Sequence, residues 1–279
     1  MVWSGQGPRK WPVTPPLATP STTSVAFARA KEQGRAALVG YLPAGYPTFK
    51  GAVEAIEAMI DAGCDIIEIG LPYSDPVMDG PTVAKAAQQS LDAGIRTGDV
   101  FRAVEAVANK EIPVVVMTYW NPVERYGVAR FAADLASAGG AGLITPDIIP
   151  EEAGEWIAAA DDRGLDKIFL VAPSSTDQRL ELTVQACRGF VYASAVMGVT
   201  GARQATSALA EPLVRRTRAL TDLPIAVGLG VSTAAQAADL AGYADGVIVG
   251  SAFIKALETG GTRGLGALVA DLARGVRRA

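Results

Sequence analysis

The chain contains no histidine among its 279 residues. That removes Ser-His-Asp and Cys-His nucleophile systems and every metal site built on imidazole. Acid–base chemistry then falls to carboxylates, tyrosine, lysine or cysteine. Cysteine is scarce as well. Cys64 and Cys187 lie far apart and form no metal-ligand motif, so both read as reduced, partly buried thiols. Aromatics make up 6% and the formal net charge is -4, which leaves neither a stacking platform nor a basic field for nucleic acid. No apolar run reaches the ~20 residues of a membrane span. Residues 1–24 lack the apolar centre of a signal peptide.

What the chain does have is apolar surface: 49% of its residues are hydrophobic, and one α/β barrel can use the whole length. Residues 1–24 are dominated by Pro, Ser, Thr and Gly and read as a flexible arm carrying Trp3 and Trp11, followed by a single domain over 25–279. Short, nearly continuous apolar runs recur at 36–42, 65–71, 114–119, 142–147, 167–172, 190–195, 224–230 and 246–251. That is the pattern of parallel strands covered on both faces. Segments of helical spacing lie between them. Residues 47–63 put Val53, Ile56, Met59 and Ile60 on one stripe that stops at Gly63. Residues 127–140, 150–164 and 232–246 read likewise, the second opened by acidic residues and the third by a Ser/Thr cap. Eight strands alternating with helices predict a (β/α)8 (TIM) barrel. The connection after the second strand is unusually long, and long loops at the C-terminal rim of a barrel carry function.

Glu68 stands in the middle of the second strand, within "DIIEIGL". Strand alternation puts it on one face with Ile66 and Gly70, inside the barrel, with Ile67, Ile69 and Leu71 under the helices. Two readings compete: a carboxylate paired with a buried arginine, and a carboxyl in apolar surroundings whose raised pKa lets it give and take a proton. The candidate strands carry no arginine. Asp75 and Asp79 follow in "PYSDPVMDGP"; each fits a turn, and Asp79 also fits a loop folded back over the rim to face Glu68. Glycines follow the last three strands in "MGVTGAR", "GLGVST" and "VGSAF". Singly they are turn residues; together they predict a phosphate cradle of backbone N–H groups and a helix N-terminus, with Ser251 as a further donor. Tyr192 lies mid-strand, as core or as substrate contact, and Tyr41 and Tyr119 are rim candidates for walling a flat ring. Lys167 opens its strand, at the face away from chemistry, so a Schiff-base mechanism lacks its amine. These residues suggest carboxylate acid–base chemistry on a phosphorylated ligand, and a retro-aldol cleavage fits. A phosphosugar isomerase with an all-aspartate Mg²⁺ site stays open as a rival, as does a non-catalytic ligand sensor.

From Ala36 to Leu257, "GYLPAGYP", "IIEIGLPYSDPVMDGPT", "MTYWNPV", "GVTGAR" and "IVGSA" appear in order, and the chain resembles the tryptophan synthase alpha subunit family. The resemblance implies cleavage of indole-3-glycerol phosphate to indole and glyceraldehyde 3-phosphate. By it Glu68 matches the proton-moving glutamate, Asp79 the aspartate facing the indole N–H, and Tyr192 the active-site tyrosine. Gly201, Gly230, Gly250 and Ser251 match the phosphate cradle, and Tyr41, Met117 and Ile148 the indole pocket. Asp147 matches an aspartate that orders the closing loops, and Asp75 and Pro76 a loop facing the partner. The resemblance further implies a cytoplasmic alpha2beta2 tetramer in which a beta subunit, holding pyridoxal phosphate, receives the indole. It implies no metal and no cofactor in this chain.

Overall fold

A computed structural model describes residues 20–194, 203–228 and 230–277. Eight parallel strands close into a barrel in chain order: β1 (Ala37–Pro43), β2 (Ile66–Gly70), β3 (Val114–Met117), β4 (Gly142–Thr145), β5 (Asp166–Val171), β6 (Val191–Ser194), β7 (Ile225–Gly228) and β8 (Gly246–Val249). β1 pairs with both β2 and β8, which closes the ring and leaves no free edge. The outer layer holds α2 (Phe49–Ala62), α3 (Pro81–Asp92), α4 (Thr97–Val107), α5 (Trp120–Tyr126), α6 (Val128–Ser137), α7 (Gly154–Asp161), α8 (Asp177–Ala186), α9 (Arg203–Arg218), α10 (Ala234–Ala241) and α11 (Ser251–Gly275). α11 breaks at Gly261, whose φ is 60°. The long connection after β2 is a loop, 71–80, followed by the helix pair α3 and α4.

Two apolar clusters account for the packing. The inner one gathers Ala37, Val39, Ile66, Val115, Ile144, Ile168, Phe190, Ala226 and Ile248, with Met117, Leu170 and Tyr192 at its upper edge. The outer one takes the alternate strand positions, among them Leu38, Ile67, Ile69, Val116 and Val227, against the helices. Strand periodicity of two thus sorts every strand between the two layers. α2 buries Ala52, Ala55, Ile56 and Met59, while Val53 and Ile60 only flank that face. α7 begins at Gly154, not at Pro150. Residues 150–152 form a turn, and Glu151 is drawn off to Arg179 of α8 at 2.5 Å.

The N-terminal face of the barrel is plugged by α1 (Thr22–Glu32), an element whose weak apolar pattern gives no sequence signal. Its Phe27 meets Phe190 with ring centroids 5.2 Å apart. Ser21 caps the helix, and the Ser21 and Thr23 hydroxyls donate to Asp166 at 2.7 and 2.6 Å. Charges on this face are stapled in pairs. Asp65 and Asp245 precede β2 and β8, and Asp166 opens β5. They meet Arg35, Arg218 and Arg188 respectively, and Lys167 meets Asp161. Asp65 and Asp245 also accept the backbone N–H of Leu38 and Ile225, so each carboxylate locks the start of a neighbouring strand.

Candidate active site

At the opposite, C-terminal mouth Glu68 and Asp79 have no ion-pair partner among the described residues. Glu68 points inward from β2 between Ile66 and Gly70 and is 1% exposed. Its Oε2 is buried with no hydrogen-bond partner. Burial first, and the nearby Asp79 charge second, push its carboxyl up to about 8. No guanidinium among the described residues reaches it: the buried arginine pairs sit at the other face. Of the two readings of Glu68, the arginine pair finds no support among the described residues, and what stands there is a buried carboxyl with a raised pKa.

Asp79 lies in loop 71–80, half-buried, and the loop does fold back over the rim. Its Oδ1 accepts from the Tyr119 hydroxyl at 3.0 Å, and the same hydroxyl accepts the Met78 N–H at 3.0 Å. Burial raises the Asp79 carboxyl and the Tyr119 hydrogen bond pulls it partly back. Tyr119, one residue before α5, is itself braced by the Tyr73 ring at 5.3 Å, whose hydroxyl accepts from Asn121. The holder of Asp79 is therefore Tyr119, which rim position alone marked as a ring wall. A tyrosine just past a strand's C-terminal end, opposite a loop carboxylate, is the signal that points to it.

Tyr41 and Tyr192 line the same mouth. Tyr41 is the register partner of Glu68 across β1 and β2, and Tyr192 sits on β6 above Phe190. Burial raises both phenols, and the charges of Glu68 and Asp79 raise them further. Both rings are open to the mouth yet enclosed by protein around them. Room for them comes from glycine. A Cβ at Gly70 would strike the Tyr41 hydroxyl and ring, and one at Gly228 the Tyr192 hydroxyl. Met117 stands opposite Gly70 in register, half-buried and inward. Ile148 is buried in the segment after β4. Asp147 beside it accepts the Trp120 N–H at 2.9 Å, tying that segment to α5. Asp75 and Pro76 lie on the outer side of loop 71–80, where Val77 is 77% and Met78 49% exposed.

The strand ends on the far side of Tyr41 supply anion-binding geometry. Gly230, with φ at 70°, leads from β7 toward α10, which Thr233 and Gln236 cap reciprocally. Gly250 is the N-cap of α11 and Ser251 its first residue, with no side-chain cap over the helix's free N–H groups. Gly201 lies outside the described residues. Another hollow, about 500 Å³, opens at the N-terminal face between α1 and residues 218–224. Its arginines, Arg35 and Arg218, are already bonded to Asp65 and Asp245. Among the described residues no group of three or more His, Cys, Asp or Glu side chains is placed to hold a metal.

A family model described as tryptophan synthase alpha chain matches residues 27–272. The chain belongs to the tryptophan synthase alpha chain family. Tryptophan synthase alpha chains of Mycolicibacterium paratuberculosis and Salinispora arenicola are similar to it at 58% and 60% identity. Each match covers 92% of this chain, with 95% and 98% of the relative. A Mycobacterium tuberculosis tryptophan synthase structure superposes with a TM-score of 0.89 at 56% identity, over 94% of this chain and 100% of that one. The tryptophan synthase subunit alpha of Legionella pneumophila still gives 0.84 at 28% identity, over 92% and 99%. In a tryptophan synthase alpha chain of this geometry, an unpaired buried glutamate faces a tethered aspartate across a mouth flanked by two helix N-termini. The mouth is suited to moving a proton within an anionic ligand.

Proposed function

We propose that this chain is the alpha subunit of a tryptophan synthase, a carbon–carbon lyase that cleaves indole-3-glycerol phosphate to indole and glyceraldehyde 3-phosphate. The phosphate rests on the backbone N–H groups at Gly230, Gly250 and Ser251, and on Gly201. The indole ring lies against Tyr41, Met117 and Ile148. Glu68, protonated when its carboxyl is held up to about 8, delivers its proton to indole C3. The positive charge then shared by the ring and its N–H is met by the Asp79 carboxylate, which Tyr119 holds in place. Glu68, now ionised, takes the proton from the hydroxyl on the carbon bonded to C3. The O–H electrons form the aldehyde, the C–C bond breaks, and its electron pair returns to the ring. One proton is gained at C3 and one lost from oxygen, so Glu68 ends as it began. Tyr192 steadies the glycerol side of the ligand. Asp147 orders the loops that close the mouth.

Indole passes to a beta subunit, which carries pyridoxal phosphate, within an alpha2beta2 assembly in the cytoplasm. The exposed Val77 and Met78 beside Asp75 and Pro76 support an apolar contact for that partner. No helix among the described residues is long and apolar enough to cross a membrane. The observation that carries the reading is the buried Glu68 carboxyl with its orphaned oxygen, coupled to Asp79. The test is indole release from indole-3-glycerol phosphate by the purified chain, alone and with a beta subunit. Release that the partner accelerates supports the whole reading. Release without acceleration leaves a free-standing lyase, and no release under either condition overturns the activity.

A further inference from the structure

Tyr41 occupies a position that an aromatic wall alone does not explain. β1 pairs with β8 as Gly40 with Val249, so Tyr41 stands level with Gly250, the cap of α11. On its other side it is level with Glu68. Its ring lies close enough to Gly250 that a Cβ there would sit 3.1 Å from Tyr41 Cδ1. Its hydroxyl lies against Gly70, on the inner face of β2, two residues nearer the mouth than Glu68. The side chain therefore spans the floor from the anion-binding helix end to the proton carrier. Two glycines, one at each end, keep that path clear. Among the described residues the hydroxyl makes no hydrogen bond, and the side chain is half-buried at the mouth. Asp79, Tyr119 and Tyr192 face it across the opening.

A ligand held by its phosphate at α11 and by its reacting carbon at Glu68 must lay the linking carbons over this side chain. An unbonded phenol O–H directly beneath that path is a donor waiting for an acceptor. Resting on the reading of the site given above, we infer that Tyr41 is a specificity-determining residue whose hydroxyl donates to a hydroxyl oxygen of the glycerol chain. It reads the hydroxylated linker between ring and phosphate, in addition to walling the ring. A site built to hydrogen-bond a hydroxyl discriminates strongly against ligands that lack it, because the donor is then left unpaired in a partly dry pocket.

The test compares two probes that differ only in that linker: indole-3-glycerol phosphate and indole-3-propanol phosphate, which keeps ring and phosphate and has no hydroxyl on its chain. Dissociation constants are measured calorimetrically in the Glu68→Gln background, where the glycerol ligand is not consumed, with and without Tyr41→Phe. Losing the hydroxyl is expected to weaken the glycerol ligand about tenfold, the equivalent of about 1.4 kcal/mol, and the propanol ligand less than twofold. With Glu68 intact, kcat/KM of Tyr41→Phe falls by a similar factor. Gly70→Ala, whose methyl would strike the Tyr41 hydroxyl and ring together, displaces the whole side chain and is expected to weaken both ligands. Tyr41→Leu, which removes the ring, weakens both ligands. If Tyr41→Phe weakens both ligands equally, or neither, Tyr41 is a wall only and the inference fails while the lyase reading stands. If the chain with Tyr41 intact binds neither ligand, the lyase reading falls first and this inference with it.

Discussion

Replacing Glu68 with glutamine should abolish turnover and at the same time make the fold more tolerant of rising pH. Glutamine keeps the shape of the side chain and cannot trade a proton. General acid–base groups contribute roughly 10²–10⁴-fold each. Glu68 serves both the protonation of C3 and the deprotonation of the hydroxyl, so kcat should fall by at least ~10³-fold with ligand affinity nearly unchanged. The stability effect has the opposite sign. The carboxyl titrates near 4.5 when unfolded and is pushed up to about 8 in the fold. Between those values the native state holds a proton that the unfolded chain has released. Stability therefore falls as pH rises through this window, by about 1.4 kcal/mol per pH unit for one proton. Across the whole window the loss is on the order of 5 kcal/mol, and it levels off above the folded value. Asp166 is also raised, but it lies at the far face in both proteins and cancels in the comparison.

The assay is a set of urea unfolding curves from pH 5 to pH 8.5 for both proteins, alongside indole release. The difference in unfolding free energy should move steadily in favour of Glu68→Gln over that range. A buried amide carries its own unsatisfied hydrogen bonds, worth about 1–3 kcal/mol. That offset is independent of pH and leaves the slope intact. Parallel pH profiles would mean that Glu68 is solvated or paired in the native protein, and the proposed chemistry would lose its proton carrier. An active Glu68→Gln variant would be equally damaging.

Three further outcomes follow from the same geometry. Tyr119→Phe removes the donor that fixes Asp79 at 3.0 Å and should lower kcat about tenfold with little change in KM; an unchanged kcat would show that the loop positions Asp79 unaided. Gly228→Ala places a methyl where the Tyr192 hydroxyl lies. Overpacking of this kind costs about 1–3 kcal/mol, so the melting temperature should drop by several degrees, with activity lost beyond what the fraction unfolded explains. Asp166→Asn weakens the acceptor shared by Ser21, Thr23 and Arg188 and should cost about 2 kcal/mol. Turnover per folded molecule should stay at the parent value, because Asp166 is on the face opposite the mouth; a fall in kcat for the folded fraction would contradict that separation.

The barrel was legible because parallel strands buried on both faces must be apolar at nearly every position. Any charge inside such a run then stands out, and Glu68 was readable for that reason. The glycines at the ends of the last two strands were readable too, and Gly250 does cap a helix there. Features set by contacts distant in sequence were not. α1 buries only Thr23, Phe27 and Ala30, too few apolar positions to mark a helix, and its anchor, Asp166, lies over a hundred residues away. The start of α7 moved because Glu151 found Arg179 on the next helix, and tertiary pairing overrode a plausible acidic first turn. A tyrosine past a strand end was the signal for Tyr119, but its pairing with Asp79 is set by where loop 71–80 closes.

The two ends of this barrel use the same residue types to opposite effect. At the N-terminal face Asp65, Asp166 and Asp245 are each given an arginine, and the first and last also take a neighbouring strand's N–H. Those partners give each carboxylate its hydrogen bonds and tie the strand starts together. At the mouth, among the described residues, Glu68 has no such partner and Asp79 has a phenol. An arginine introduced near Glu68 would drive the carboxyl down and fix it as a carboxylate. It would then have no proton to deliver at neutral pH. The instability stored at Glu68 is therefore inseparable from its chemistry, and the paired ring of charges at the far face is what lets the fold carry it.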